Sequence, residues 1–238
     1  MESGEKLPEL SVFFPAYNEE ERISATVKKA LAVAPKAAEK YEIVVINDGS
    51  KDKTGEVIDS LAEKHNYVRA LHHKKNRGYG AALKTGFYKT KYQWITFTDS
   101  DGQFDFSEIT DFIEAQKKTG KKLVIGYYKK RQVPFYRKVN TFLWEGVVRI
   151  LFGLNVRDID TAFKLIHRDV INTIPKLESE RGAFISSEFL IKAKKAGFGM
   201  VEVPVTHFPR EEGKGTGSNL DVIVKSFVDL FKLWKKLR

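Results

Sequence analysis

Apolar runs rich in β-branched and aromatic residues alternate along the chain with stretches that have helical periodicity. The runs lie at residues 10–14, 42–47, 68–72, 94–98, 122–127, 163–167 and 200–208. The helical stretches between the early runs lie at residues 19–33, 54–64, 81–89 and 106–119. Strands that alternate with helices are typical of βαβ units, so the pattern predicts an α/β fold with a mostly parallel sheet flanked by helices.

The chain shows no linker, internal repeat or low-complexity tract. Of its 238 residues, 42% are apolar, which is ample for a core. We therefore predict a single domain over residues 1–238. Its catalytic core is expected from about residue 10 to 220, followed by an amphipathic helix over residues 221–238.

The chain contains no cysteine, which excludes disulfides, zinc–thiolate sites and cysteine nucleophiles and favours a reducing compartment. The N-terminal MESGEKLPEL is too polar for a signal peptide. No apolar run approaches the ~20 residues that span a bilayer. These features predict a cytoplasmic protein.

The net charge of +10 is concentrated in one segment. Residues 117–138 contain nine lysines and arginines and no acid. Such a segment indicates an anionic partner, which leaves nucleic acid, anionic lipid and a phosphorylated substrate as candidates. The alternative is a solvated face that keeps the protein soluble.

Polar clusters follow each of the first four predicted strands. They read PAYNEE, NDGSKDKT, HKKNRGYGAALKTGF and DSDGQF. Because ligands bind beyond the carboxyl ends of parallel strands, we expect these clusters to line one cleft.

The stretch TFTDSDGQF places two carboxylates, Asp99 and Asp101, one residue apart at a strand end, with Gln103 close by. Hard oxygen ligands suit Mg²⁺ or Mn²⁺, which also bind substrate phosphates and neutralise a diphosphate leaving group. Aspartate and glycine also form ordinary turns, which is the alternative explanation.

Asp48, in VVINDGS, is placed to accept hydrogen bonds from a nucleobase or a ribose, although Asp-Gly-Ser is also common in turns. The glycines of NRGYGAALKTGF precede a predicted helix but do not match the P-loop pattern. The first strand is not followed by G-x-G-x-x-G, which argues against a dinucleotide-binding enzyme.

Six motifs in order resemble the family 2 inverting glycosyltransferases of the A-type nucleotide-sugar fold. They read VFFPAYNEEERI, EIVVINDGSKDKT, NRGYGAALKTGF, DSDGQF, RDIDTAFKL and GFGMVEVPVTHFPR. The similarity runs from about residue 10 to 220 and is greatest to the polyprenyl- or dolichol-phosphate hexose synthases. It implies transfer of mannose or glucose from GDP-mannose or UDP-glucose to a polyprenyl phosphate, with inversion and with Mg²⁺ or Mn²⁺.

The resemblance also implies roles for individual residues. The donor site would comprise Pro15, Tyr17, Glu19, Asp48, Lys84, Asp99, Ser100, Arg210 and Ser218. The metal site would comprise Asp99, Asp101 and Gln103. The catalytic residues would be Asp101, Arg131, Asp158, Glu188 and Arg210.

Two of these residues correspond to cations that contact phosphates in the family. Arg210 matches a basic residue that closes over the diphosphate, and Arg131 matches an arginine that faces the acceptor phosphate. The chain departs from the family at Tyr128, where many relatives have another arginine, and at Ala162, where a glycine is frequent.

The acceptor decides whether a general base is needed. A phosphate monoester has a second pKa of about 6, so it is ionised near neutrality and needs cations to hold it. Arg131, Arg137 and Lys138 are candidates for that role. A hydroxyl acceptor needs a base, for which the candidates are Asp158, Asp160 and Glu188. Glu188 is also explained as a helix N-terminal carboxylate.

Two apolar stripes with helical spacing predict contact with a membrane surface. One comprises Ile223, Phe227, Leu230, Phe231, Trp234 and Leu237, and the other comprises Phe142, Leu143, Val147, Ile150 and Leu151. The alternative is that both stripes pack on the protein's own core.

The combined expectation is an enzyme peripheral to the cytoplasmic face of the membrane, with a nucleotide sugar and a polyprenyl phosphate as partners and no nucleic acid. The main rival function is transfer by the same fold to a glycan or protein hydroxyl.

Overall fold

The computed structural model describes residues 6–129, 135–180, 182, 184–209 and 220–237. Seven strands form one sheet: β1 Leu7–Ala16, β2 Ala38–Asn47, β3 Val68–His72, β4 Trp94–Phe97, β5 Leu123–Tyr128, β6 Lys164–His167 and β7 Met200–Val205. Their order across the sheet is β3-β2-β1-β4-β6-β5-β7.

Within these described ranges, eight helices connect or flank the strands. They are α1 Ile23–Ala37, α2 Thr54–Lys64, α3 Tyr79–Lys89, α4 Ile109–Thr119, α5 Phe135–Phe152, α6 Arg168–Thr173, α7 Phe184–Lys195 and α8 Leu220–Leu237. A short 3₁₀ helix, Phe106–Glu108, precedes α4. The α/β fold with a mostly parallel sheet is thus confirmed, whereas the domain boundaries given above stay a prediction.

Strand β6 is the exception to the parallel arrangement, because it pairs antiparallel with both β4 and β5. Its first residue, Lys164, lies opposite Phe97 of β4 and Ile125 of β5. The chain therefore enters β6 at the edge where β4 ends. The residues just before β6 lie at the same rim as the loops that follow the parallel strands.

The centre of the core lies between β1 and α3. The Phe13 ring stacks on Phe97 at a centroid distance of 5.0 Å and meets Phe87 edge-on at 5.4 Å. Gly86 faces the same ring, and a Cβ atom there would lie 2.4 Å from Phe13 Cδ2. A side chain at position 86 would therefore push α3 away from the sheet.

Both ends of helix α1 differ from the predicted range of residues 19–33. Helix α1 begins at Ile23 rather than at residue 19, because residues 17–22 form the loop after β1. The helix then continues through Pro35 to Ala37, where Ala38 N–H donates to Ala34 O. Proline at position 35 therefore does not end this helix.

Helices α5, α7 and α8 meet at Trp144. Its indole N–H donates to Ser187 Oγ over 3.0 Å, and its ring lies 5.1 Å from that of Phe227. Helix α8 buries Leu230 and Leu233 in the core and leaves Phe231 half exposed. Within the described ranges, no helix is long and apolar enough to cross a bilayer.

Candidate active site

The loops after β1 and β2 are joined by hydrogen bonds between side chains and backbone. Asn18 has a φ of 55°, in the left-handed region. Its N–H donates to Ser50 Oγ over 3.0 Å, and its Oδ1 accepts from Lys51 N–H over 2.9 Å. Glu19 N–H donates to Thr54 Oγ1 over 2.8 Å. These bonds fix the backbone of the loop that carries Tyr17 and Glu19, which together with Pro15 in β1 are three of the predicted donor residues.

Those three residues differ in exposure. Tyr17 is 41% exposed at the rim, so its ring is available to a ligand. Pro15 is buried in the last part of β1. Glu19 is also buried, with its carboxylate 3.5 Å from the Arg22 guanidinium.

Asp48 holds the loop that precedes α3. Its Oδ2 accepts from Gly78 N–H over 2.7 Å and its Oδ1 accepts from Arg77 N–H over 3.0 Å. The same Oδ1 lies 2.5 Å from Nδ1 of His73. A carboxylate offers about four acceptor positions, so these contacts leave room for one more donor from a ligand.

Lys84 is tied to the segment before α7. Its Nζ donates to Glu180 Oε1 over 3.0 Å and to Glu178 O over 3.3 Å. Arg77 Nη2 donates to the same Glu180 oxygen over 2.9 Å. The hydrogen bond from Lys84, supported by that from Arg77, lowers the pKa of Glu180, although burial acts in the opposite direction. The two cations therefore face the donor side of the rim as part of one ion-pair cluster.

The two aspartates of the DSDGQF motif leave β4 in a tight turn. Asp99 Oδ1 accepts from the Tyr79 hydroxyl over 2.9 Å. Asp101 Oδ1 accepts from Gln103 N–H over 3.1 Å, across Gly102, which has a φ of 76°. Ser100, between them, is 4% exposed, and its carbonyl accepts from the Thr26 hydroxyl on α1. Side chains of α1 and α3 thus hold the motif in place through hydrogen bonds.

Gln103 connects this turn to the chain that follows β7. Its Nε2 donates to Phe208 O over 2.9 Å, and Phe208 N–H donates to Gln103 O over 2.8 Å. Because a carbonyl only accepts, the nitrogen end of the amide must face Phe208. Oε1 is therefore the end of Gln103 that can serve as a ligand.

The oxygen ligands available at this turn fit a divalent cation that is bound together with a diphosphate. Asp99 and Asp101 supply carboxylates and Gln103 supplies an amide oxygen. Among the residues that the structure describes, no group of three or more His, Cys, Asp or Glu is placed to hold a metal ion. Mg²⁺ is commonly held by one or two carboxylates together with substrate phosphates, which is the set available here.

Lys164 lies buried beneath the aspartates. Its Nζ donates to Thr161 O and, over 3.4 Å, to Ile159 O. Burial lowers the pKa of Lys164 to about 8, although Asp158, Asp160 and Asp99 act in the opposite direction. The ammonium therefore holds the turn before β6 and supplies positive charge under an acidic rim.

Asp158 shapes that turn. Its Oδ1 accepts from Asp160 N–H over 2.9 Å and from Thr161 N–H over 3.0 Å, and the residue is 4% exposed. Asp160 is only partly buried. Of these two candidate bases, Asp160 has the more accessible side chain.

Glu188 is a structural anchor in this arrangement. It is 2% exposed, its Oε1 accepts from Lys192 Nζ and Glu178 N–H, and its Oε2 accepts from Ser179 N–H. Burial opposes ionisation, yet the hydrogen bonds from Lys192 and Ser179 lower the pKa of Glu188. The residue holds the segment before α7, and neither of the two roles predicted for it includes that contact.

Three predicted site residues, Arg131, Arg210 and Ser218, lie outside the described residues, as do the side chains of Arg137 and Lys138. Within the described part of the basic segment, two lysines have acidic partners from other elements. Lys122 pairs with Asp169 and Lys129 pairs with Glu108. The basic segment contains no acid in its own sequence, but the fold brings acidic side chains from other elements next to it.

Sequence reasoning missed three residues: Tyr79, His73 and Lys164. A charged residue inside the apolar run AFKLI was a usable signal for Lys164. No sequence signal links Tyr79 to Asp99, because their contact depends on how α3 packs beside β4.

Comparisons with known proteins identify the family of the chain. The model of the family described as "Glycosyl transferase family 2" matches residues 11–174. Glycosyltransferase AglD of Haloferax volcanii is 28% identical over 214 residues, covering 87% of this chain and 34% of that protein. Dolichyl-phosphate beta-glucosyltransferase of Dictyostelium discoideum is 32% identical over 216 residues, covering 82% of this chain and 65% of that protein. The chain thus spans about one third and about two thirds of these relatives.

A solved structure shares the fold. Glucosyl-3-phosphoglycerate synthase from Mycobacterium tuberculosis, in complex with Mn²⁺, UDP and glucosyl-3-phosphoglycerate, superposes with a TM-score of 0.72 at 18% identity, covering 96% of this chain and 80% of that one. The family match covers well over half of the sequence and includes the loops that follow β1, β2, β3 and β4. The chain therefore belongs to glycosyl transferase family 2.

Proposed function

We propose that this protein transfers a hexose from a nucleotide sugar to a polyprenyl phosphate, with inversion at the anomeric carbon. The observation that carries the proposal is the rim at which the Asp99–Asp101 turn lies beside the loop held by Asp48. The similarity to a dolichyl-phosphate beta-glucosyltransferase supports a lipid phosphate as the acceptor class.

The donor would bind across the loops that follow β1, β2 and β3. Tyr17 presents an exposed ring for stacking on the nucleobase, and Asp48 retains one acceptor position for a base or ribose donor. Lys84 and Arg77 supply positive charge beside the same loop. These groups are fixed before the ligand arrives, which lowers the entropic cost of binding.

The diphosphate would lie at the DSDGQF turn. Asp99, Asp101 and Gln103 Oε1 are the residues that would hold Mg²⁺ or Mn²⁺ there. When bound, the divalent cation stabilises the negative charge that develops on the nucleoside diphosphate leaving group.

The reaction would be a single in-line displacement, in which an acceptor phosphate oxygen attacks the anomeric carbon as its bond to the diphosphate breaks. An ionised phosphate needs no general base, since its second pKa is about 6. This agrees with the environment of Glu188, whose oxygens accept from three donors. It also agrees with Asp158, whose Oδ1 accepts from two backbone N–H groups. Two of the three candidate bases are thus engaged in structural contacts, and Asp160 is the accessible one. We favour a phosphate acceptor over a hydroxyl, with Arg131 as the proposed cation facing it.

The lipid acceptor requires the protein to work at a membrane surface. Helix α5 exposes Phe142, Leu143 and Ile150 to 74%, 56% and 84%. Helix α8 exposes Val228 and Phe231 to 48% and 50%. Lysines of α8 flank these side chains, as in helices that lie in anionic membrane interfaces. We propose that the two helices together contact the cytoplasmic face of the membrane.

The test supplies the full chain with GDP-mannose or UDP-glucose and Mg²⁺ or Mn²⁺, in vesicles that contain polyprenyl phosphate. The matched control acceptor is the corresponding polyprenol, which has the same chain and a hydroxyl head. The expected result is a β-linked lipid phosphate hexose with one donor and no product with the polyprenol. Efficient transfer to the polyprenol or to a sugar hydroxyl would instead establish the rival function.

A further inference from the structure

We propose that Tyr79 is a positioning residue for the cation site, because its hydroxyl fixes the orientation of the Asp99 carboxylate to which the metal would bind. This inference rests on the proposed function, since it requires a divalent cation at Asp99 and Asp101. Neither the family match nor the motifs of the sequence assign a role to Tyr79.

The contact is direct and well formed. The Tyr79 hydroxyl donates to Asp99 Oδ1 over 2.9 Å, and its ring packs against the core. Asp99 lies two residues beyond the end of β4, outside the regular hydrogen bonding of the sheet. A donor on a packed ring therefore limits the rotation of a carboxylate that strand pairing does not fix.

Tyr79 is itself held on both sides by glycines. Gly78 has a φ of 99°, and its N–H donates to Asp48 Oδ2 over 2.7 Å. A Cβ atom on Gly80 would lie 2.8 Å from Ser179 O, so the start of α3 approaches that backbone as closely as glycine permits. The position of the Tyr79 ring is thus set by two separate contacts of its own backbone.

These contacts form a continuous connection across the rim. Asp48, which is proposed to bind the nucleotide, fixes the backbone of Gly78, and the next residue fixes Asp99. Groups that hydrogen-bond to metal ligands typically change metal affinity by about 10–100-fold when they are removed. Tyr79 occupies that place for Asp99.

The experiment measures Mn²⁺ binding to the Tyr79→Phe variant by electron paramagnetic resonance of the free ion, with and without nucleoside diphosphate. Phenylalanine keeps the ring and removes only the hydroxyl. The matched control is Tyr88→Phe on the same helix. The Tyr88 hydroxyl accepts from Leu177 N–H, whereas that of Tyr79 donates to Asp99. Thermal unfolding of both variants shows whether the core is preserved.

We expect Tyr79→Phe to weaken Mn²⁺ binding by about 10-fold and to recover turnover at saturating Mn²⁺, with Tyr88→Phe unchanged. Equal Mn²⁺ affinity in Tyr79→Phe and the unchanged protein would overturn this inference alone. Equal weakening by Tyr88→Phe would also overturn it, since the effect would then be general. No Mn²⁺ binding by the unchanged protein would overturn both this inference and the proposed metal dependence.

Discussion

The loops that follow β1 to β4 and the elements beyond β5 are built in different ways. The first group is joined by bonds between loops, such as Asn18 to Ser50 and Tyr79 to Asp99. The second group, α5 and α8, turns apolar side chains such as Phe142 and Phe231 toward solvent. The loops after β1 to β4 thus bond their polar groups to one another, whereas α5 and α8 leave apolar surface uncovered.

This difference separates two tasks. Prearranged polar groups stabilise charge without having to reorganise during the reaction, which suits a diphosphate site. Exposed apolar helices with lysines along their edges suit a membrane surface, because its interior is apolar and its head groups are anionic. The proposed reaction needs both, because its donor is a polar nucleotide and its acceptor is a lipid.

The largest expected effect comes from the β4 turn. Asp101→Asn should lower kcat/KM by about 10³-fold, or about 4 kcal/mol, because a metal-binding charge beside the diphosphate is lost. The measurement is initial rate against donor concentration at several Mg²⁺ concentrations. Asp105→Asn is the control, since Asp105 only caps the 3₁₀ helix through Ser107 N–H. Full turnover by Asp101→Asn, or in excess chelator, would contradict the metal site.

The next effect distinguishes structure from catalysis at Glu188. Glu188→Gln removes the nearer of two acidic partners of Lys192, whose side chain is 1% exposed, and leaves Glu178 3.8 Å away, so the free energy of unfolding should fall by about 3 kcal/mol. Urea denaturation measures this. Asp229→Asn is the control, because Asp229 pairs with Lys232 at the surface and the change should cost less than about 0.5 kcal/mol. Unchanged stability with abolished turnover would make Glu188 a base instead.

Lys164 should make stability depend on alkaline pH. Its pKa is lowered from 10.5 to about 8 in the folded protein, so between these values the unfolded chain binds more protons and stability rises with pH. Relative to Lys164→Met, the unchanged protein should gain about 2 kcal/mol from about pH 7.5 to 10. Denaturant unfolding of both proteins at each pH measures the gain. A constant difference between them would show that the buried ammonium is not destabilised.

The smallest effect tests the apolar side. Phe231→Glu should weaken binding to anionic vesicles by roughly 10-fold, because about 1–2 kcal/mol of apolar contact is lost. Vesicle co-sedimentation at two salt concentrations measures it. Tyr67→Glu, at an exposed aromatic residue beside β3, is the control and should bind as before. Equal loss in both variants, or none in Phe231→Glu, would leave α8 without a membrane role.

The sheet was predictable because its strands are continuous apolar runs bounded by turn residues. The first four predicted strands match β1 to β4 closely, and the polar motifs do follow them. The direction of β6 was not predictable, since a short apolar run reads the same in either orientation. That direction is what places Lys164 under Asp99.

Where the candidate site residues lie in the fold was predictable, but their contacts were not. Asp48 and Asp99 were identified from the strand ends that carry them. Their partners are Gly78, which immediately precedes α3, and Tyr79, its first residue, so these contacts depend on how α3 packs. Glu188 shows the same limit, because its partners come from a segment with no regular structure before α7. Hydrophobic periodicity does not encode such contacts.

Because three helices meet at Trp144, the fluorescence of this residue reports on the position of α8. The indole bonds to Ser187 on α7 and touches Phe227 on α8, so lifting α8 would expose it to water and shift its fluorescence to longer wavelength. Of the other two tryptophans, Trp94 lies buried at the start of β4 and supplies a constant background, whereas Trp234 lies on α8 itself and would be replaced by phenylalanine. Because the chain has no cysteine, one thiol introduced on α8 would accept a quencher at a single position. The fluorescence of Trp144 can thus follow the attachment of α8 in real time with few substitutions.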